Sequence, residues 1–199
     1  MDDWNEKGRF KGDFMNKEED VPVIFTDEYF MRSALRLAER AAEAGEVPVG
    51  AVAVHNGMII AKAWNQVELL KDATAHAELL VLTSAAAAVG DWRLEEVEIY
   101  VTKEPCAMCA GAMVNARVRK VIFGLPDPRC GACGSSELDV ANFKGMLHQL
   151  EVKGGVLEEE CKSLMQSFFR SVRKAKSEKA GKEDGAEDAD GAVGALCRS

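Results

Sequence analysis

Pro105-Cys106-Ala107-Met108-Cys109-Ala110-Gly111 follows almost directly on Val97-Glu98-Ile99-Tyr100-Val101-Thr102, so a buried strand is predicted to feed a helix that opens on two thiols. Cys106 and Cys109 stand three apart, which on a first helical turn puts both sulfurs on one face, within reach of a single ion. Alone this is half a site. The other half is offered upstream by Thr74-Ala75-His76-Ala77-Glu78, an imidazole and a carboxylate at the start of another apolar helical pattern. One His and two Cys supply three zinc ligands and leave a fourth position open for water, the arrangement of a catalytic rather than a structural site. Such an ion can bring bound water to a pKa of about 7. Glu78 is then placed to move protons. Spacing alone does not put Glu78 beside His76, because residues two apart diverge on a mid-helix turn; at a helix start both can reach a pocket off its end.

Outward from this pair of motifs the chain reads as alternating strands and helices. Thr26 can cap a helix with Asp27 and Glu28 in its first turn, and Phe30, Ala34, Leu37, Ala38 and Ala41 recur at helical spacing down to Gly45. Val47-Pro48-Val49-Gly50-Ala51-Val52-Ala53-Val54 predicts a buried strand, and Asn56-Gly57 a type I′ hairpin into a second strand over 58–64. A polar loop to Asp72, an apolar helix over 75–89, and strands over 97–102, 118–123 and 149–152 follow. Strand, helix, strand around the Cys motif implies a parallel pair within the sheet. A helix from 157 to about 174 closes one domain over 26–174. Residues 1–25 read as a flexible extension and 175–199 as a disordered charged tail.

A chain of 199 residues, 47% hydrophobic, suits a single domain with a full core. Its net charge of −8 argues against broad, sequence-blind nucleic-acid binding, which leaves a strongly basic footprint, while leaving room for a local basic patch. No stretch reaches the roughly 18 apolar residues of a membrane span. Met1-Asp2-Asp3-Trp4-Asn5-Glu6 is too acidic for a signal or transit peptide, so a cytoplasmic protein is expected. In that compartment the 6 cysteines are reduced thiols or metal ligands.

His76-x-Glu78 followed by Pro105-Cys106-x-x-Cys109 is the zinc-deaminase signature. Within that superfamily, Glu46-Val47-Pro48-Val49-Gly50-Ala51-Val52, Trp64-Asn65, Asp72-Ala73-Thr74-Ala75-His76-Ala77-Glu78, the segment from Glu104 to Met113 and Phe168-Phe169-Arg170 resemble the bacterial tRNA-specific adenosine deaminases. The resemblance implies a cytidine-deaminase-like three-layer α/β/α fold with a mixed five-stranded sheet, a homodimer, and conversion of the wobble adenosine of a tRNA anticodon stem-loop to inosine. It also implies one Zn2+ per subunit on His76, Cys106 and Cys109, Glu78 as proton shuttle, and Asn65 as a hydrogen-bonding partner of the flipped base. Asp127 and Arg129, in one loop, and Arg170, on the last helix, are the implied RNA contacts. Two positions depart from the family pattern: Ala73, where proline is usual, and Cys130-Gly131-Ala132-Cys133, where a thiol-free segment is usual.

Other readings stand beside this one. Cys106-x-x-Cys109 with Cys130-x-x-Cys133 also has the spacing of a four-cysteine structural zinc site, which would make the chain a binding module. Within the enzymes, a deaminase of free guanine, cytosine or a nucleotide would share the metal chemistry. Asn65 and Asp127 are also ordinary turn formers, and Arg170 is a residue that helix C-termini favour.

Overall fold

The computed structural model describes residues 25–190; most of the expected N-terminal extension and the last nine residues of the expected tail lie outside the described residues. The elements are α1 (Asp27–Glu43), β1 (Gly50–His55), β2 (Met58–Trp64), α2 (Val67–Leu70), α3 (Ala77–Val89), β3 (Val97–Lys103), α4 (Ala107–Asn115), β4 (Lys120–Leu125), β5 (Glu151–Lys153) and α5 (Glu158–Asp190). Thr26 caps α1, its Oγ1 accepting from the Tyr29 N–H at 3.3 Å. Asn56 and Gly57 both take positive φ (50° and 71°), as a type I′ turn requires, and β1 and β2 pair antiparallel around them.

The strands form one sheet in the order β2-β1-β3-β4-β5. β1 pairs antiparallel with β2 and β3, whereas β3–β4 and β4–β5 are parallel, so the sheet is mixed as expected. Period-two alternation sorts its side chains into two cores. Ala51, Ala53, Ile99, Val101 and Val121 face Val81, Leu82 and Ala85 of α3 and Ala110, Met113 and Val114 of α4. Val52, Val54, Tyr100 and Ile122 face Phe30, Met31, Ala34 and Leu35 of α1 and Cys161 of α5. Helices on both faces make the three layers. At Gly50 the approach of α1 is so close that a Cβ would lie 2.2 Å from the Ala34 carbonyl oxygen; glycine is the residue that lets this helix lie on β1.

Several boundaries differ from the sequence expectation: β1 starts at Gly50 rather than Val47, and β4 and β5 run over Lys120–Leu125 and Glu151–Lys153 rather than 118–123 and 149–152. α3 and α4 each start one to two residues later than an apolar count suggests, because His76 and Cys106 occupy extended N-cap positions (φ −69°, ψ 148° and φ −74°, ψ 174°). A short helix, α2, interrupts the loop before the His motif. α5 continues past Lys174 to Asp190, where apolar periodicity has ended; Lys, Glu and Ala are good helix formers, and Lys174 and Glu178 pair at 4.0 Å one turn apart. Among the described residues no helix is long and apolar enough to cross a membrane.

Candidate metal centre and substrate cavity

Two N-caps face each other at the heart of the site. His76 precedes α3 and Cys106 precedes α4, so two helix N-termini, with their partial positive charge, point at one place. His76 Nδ1 lies 3.5 Å from Cys109 Sγ and 3.8 Å from Cys106 Sγ. Ligands at Zn–S of about 2.3 Å and Zn–N of about 2.0–2.1 Å, set tetrahedrally, would stand about 3.5–3.6 Å apart N to S. The donor set and its spacing therefore fit one zinc ion. Among the described residues this is the one cluster of three or more such donors, all within 4.8 Å of one another.

The thiols respond to their crowding. Cys106 is pulled down to about 3, first by a hydrogen bond from the Cys109 thiol and then by His76. Cys109, more deeply buried, is pushed up, first by Cys106 and then by burial. His76 is raised by its hydrogen bond with Cys106. Burial pushes the Glu78 carboxyl above the usual carboxylate range; it is 4% exposed, in the first turn of α3.

His76, Glu78 and Cys106 line a cavity of about 440 Å³ together with Glu46, Val47, Val49, Asn65, Lys103, Glu104, Phe168 and Val172. That size takes one small ligand, such as a single nucleobase. Asn65 is 6% exposed, and its Nδ2 donates to Glu46 Oε2 at 3.1 Å; Glu46 Oε1 in turn accepts from the Leu69 N–H at 2.7 Å.

The MafB19-like deaminase family matches residues 25–173. The tRNA-specific adenosine deaminase of Bacillus subtilis (strain 168) is 50% identical over 150 residues, 75% of this chain and 92% of that protein. The chain belongs to the tRNA-specific adenosine deaminase family. A second member, the chloroplastic tRNA(adenine(34)) deaminase of Arabidopsis thaliana, is 43% identical over 159 residues, 72% of this chain and 12% of that much longer protein. A structure from work on A-to-I editing by tRNA:A34 deaminases superposes with a TM-score of 0.66 at 40% identity, covering 68% of this chain and 98% of the other. The guanine deaminase of Nitrosomonas europaea shares the fold alone, at 23% identity and a TM-score of 0.63, over 72% of this chain and 84% of its own.

The loop after β4 is held by the Glu104 carboxylate. Glu104 is 2% exposed and accepts three backbone N–H groups, from Asp127 at 2.7 Å, Cys133 at 3.0 Å and Ser135 at 3.1 Å. A Cβ on Gly131 would collide with that carboxylate at 2.3 Å, so the loop closes over Glu104 only with glycine there. Gly131 also bridges Cys106 across the start of α4. Neither Glu104 nor Glu46 was assigned a role from the sequence; the usable signal was an acid set against Pro105 or immediately before the apolar run beginning at Val47.

The remaining candidates separate. Asp127 pairs with Lys103, which lines the cavity, and its Oδ1 accepts from the N–H groups of Arg129 (3.1 Å) and Cys130 (3.2 Å). It therefore does the work of a turn former. Burial pushes its carboxyl up, but the Lys103 hydrogen bond and charge and the N–H groups of Arg129 and Cys130 together hold it below the usual range. Arg129 and Arg170 come together with Arg173, Gln166 and Phe169 along a groove of about 550 Å³, on the other flank of α5 from Phe168 and Val172, which line the cavity at His76 and Cys106. The four-cysteine arrangement does not form: Cys130 is exposed, and Cys133 packs into the apolar core under α3 and α4, where burial pushes its thiol up.

Proposed function

We propose that this chain is a tRNA deaminase that converts the wobble adenosine of an anticodon loop to inosine, with one zinc per subunit on His76, Cys106 and Cys109. The observation that carries the reading is the convergence of a His/Cys/Cys donor set, the buried Glu78 and the buried Asn65 on one base-sized cavity, in a chain whose relatives are named for tRNA adenosine deamination. When bound, zinc would supply the Lewis acidity that activates a water at neutral pH. Glu78 accepts the proton that this water gives up and returns it to the departing amine, so adenosine and water become inosine and ammonia. Asn65 holds the edge of the base, with Val49 and Phe168 as apolar walls. Arg129 and Arg170 hold phosphates of the loop along the neighbouring groove, which reconciles a local basic surface with a net acidic chain.

Flipping a base out costs a few kcal/mol, least for one already unpaired, so an anticodon loop is an accessible target. An RNA hairpin carrying adenosine at the wobble position should gain inosine, read by mass, while free adenosine, guanine and cytidine stay unchanged. Faster turnover of a free base or nucleoside than of the hairpin would assign the chain to the small-molecule deaminases instead.

We further propose a homodimer. α4 turns Ala107 and Met108 outward and leaves Gly111 and Ala112 half-buried, a small-residue apolar face that a second helix can approach closely. Sedimentation at micromolar concentration should give twice the chain mass; a monomer that still deaminates the hairpin would refute the dimer.

A further inference from the structure

We infer that Glu46 is a positioning residue for Asn65, fixing which hydrogen-bonding atoms of that amide are shown to the base. The inference rests on the proposed reading of the cavity as a base pocket. An asparagine amide has an acceptor end and a donor end of nearly the same shape, so its neighbours decide which way it faces. Here the neighbour is a carboxylate, 1% exposed, both of whose oxygens receive N–H donors: Asn65 Nδ2 on Oε2 and the Leu69 backbone on Oε1. One Nδ2 hydrogen is committed to Glu46, which leaves the second hydrogen and Oδ1 for a ligand in the cavity that Asn65 lines. The reversed amide would bring Oδ1 against Oε2, oxygen to oxygen, with no proton between them.

The second hydrogen bond extends the effect to the rim. Leu69 belongs to α2, whose first two residues, Val67 and Glu68, line the same cavity. α2 is a single turn with no side-chain cap and no buried residue, so its own packing holds it weakly. Glu46, immediately before the run that becomes β1, ties this rim and the base-facing amide to the sheet through one side chain. Glutamine at 46 keeps the volume and one acceptor but turns the other oxygen into a donor. Facing Leu69 with its oxygen, it would present an N–H to Asn65 and favour the reversed amide, swapping donor for acceptor at the base edge.

A double-mutant cycle on the zinc-loaded full chain reads this directly, with kcat and KM on the anticodon hairpin, zinc per chain, and melting temperature for wild type, Glu46→Gln, Asn65→Ala and the double variant. Glu46→Gln should lower kcat/KM about tenfold at wild-type zinc content, the scale of one mispaired buried hydrogen bond, and should change it less than about twofold once Asn65 is alanine. The same factor in both backgrounds, or no effect of either substitution, overturns the inference. An inactive wild type with this hairpin would instead sink the functional reading. Independently of any substrate, the Asn65 side-chain amide protons, assigned by their loss in Asn65→Ala, should exchange with solvent about tenfold more slowly than those of exposed Asn115. Exchange as fast as that of Asn115 overturns the inference by itself, whether or not Glu46→Gln folds.

Discussion

Glutamine in place of Glu78 is expected to keep one zinc per chain and lower turnover about 10²–10⁴-fold, the range that general acid-base catalysis supplies. The side chain is 4% exposed and lines the cavity beside His76 and Cys106, so in the proposed mechanism it would meet the reacting atoms with little water around it. Glutamine fills the same volume and still accepts a hydrogen bond through its oxygen. It cannot take up a proton and give it back. The change leaves all three proposed zinc donors in the chain, and their placement comes from the caps and first turns of α3 and α4 rather than from residue 78. Single-turnover measurement of inosine in the hairpin, with zinc assayed on the same sample, separates chemistry from metal loss. A variant that keeps more than about a tenth of wild-type turnover would take Glu78 out of the proton path.

Much of this site was legible because its chemistry is local. Two cysteines three apart and a histidine at a helix start are placed by cap geometry, and cap geometry follows from a few neighbouring residues. The same holds for the hairpin at Asn56-Gly57 and for the alternation of Ala51 and Ala53 against Val52 and Val54. Glu46 and Glu104 were illegible for the opposite reason. Each is a solvated acid on sequence grounds, and each is buried because N–H donors from 19 to 31 residues away converge on it. Asp127 illustrates the same limit from the other side: a turn-forming role and an RNA contact use one residue type, and Lys103, 24 positions away, decides what its free oxygen does. Arg129 and Arg170 share a groove although 40 residues separate them in sequence, and only the packing of α5 beside the loop after β4 could bring them there.

Replacing Cys109 with serine is expected to empty the metal centre and abolish turnover, whereas Cys130→Ser with Cys133→Ser should keep one zinc per chain. The contrast follows from the ligand atoms. A thiolate gives zinc a charged, polarisable donor, while a serine hydroxyl stays protonated at neutral pH, so the donor set falls from three to two. Cys109, in the first turn of α4, is 0% exposed, and water reaches the gap poorly as a substitute. Zinc bound to the folded chain alone also stabilises it by mass action, so the Cys109 variant should lose the rise in melting temperature that added zinc gives the wild type. The double variant probes a different term. Cys133 lies at 3% exposure among apolar side chains, and a hydroxyl without a partner there costs about 1–3 kcal/mol. Its melting temperature should therefore fall while its zinc content and its zinc-dependent stabilisation persist. Metal analysis and melting curves with and without added zinc distinguish the two outcomes. Zinc lost from the double variant and retained in Cys109→Ser would transfer the metal to the second pair of thiols and, with it, remove the reason to read this cavity as catalytic.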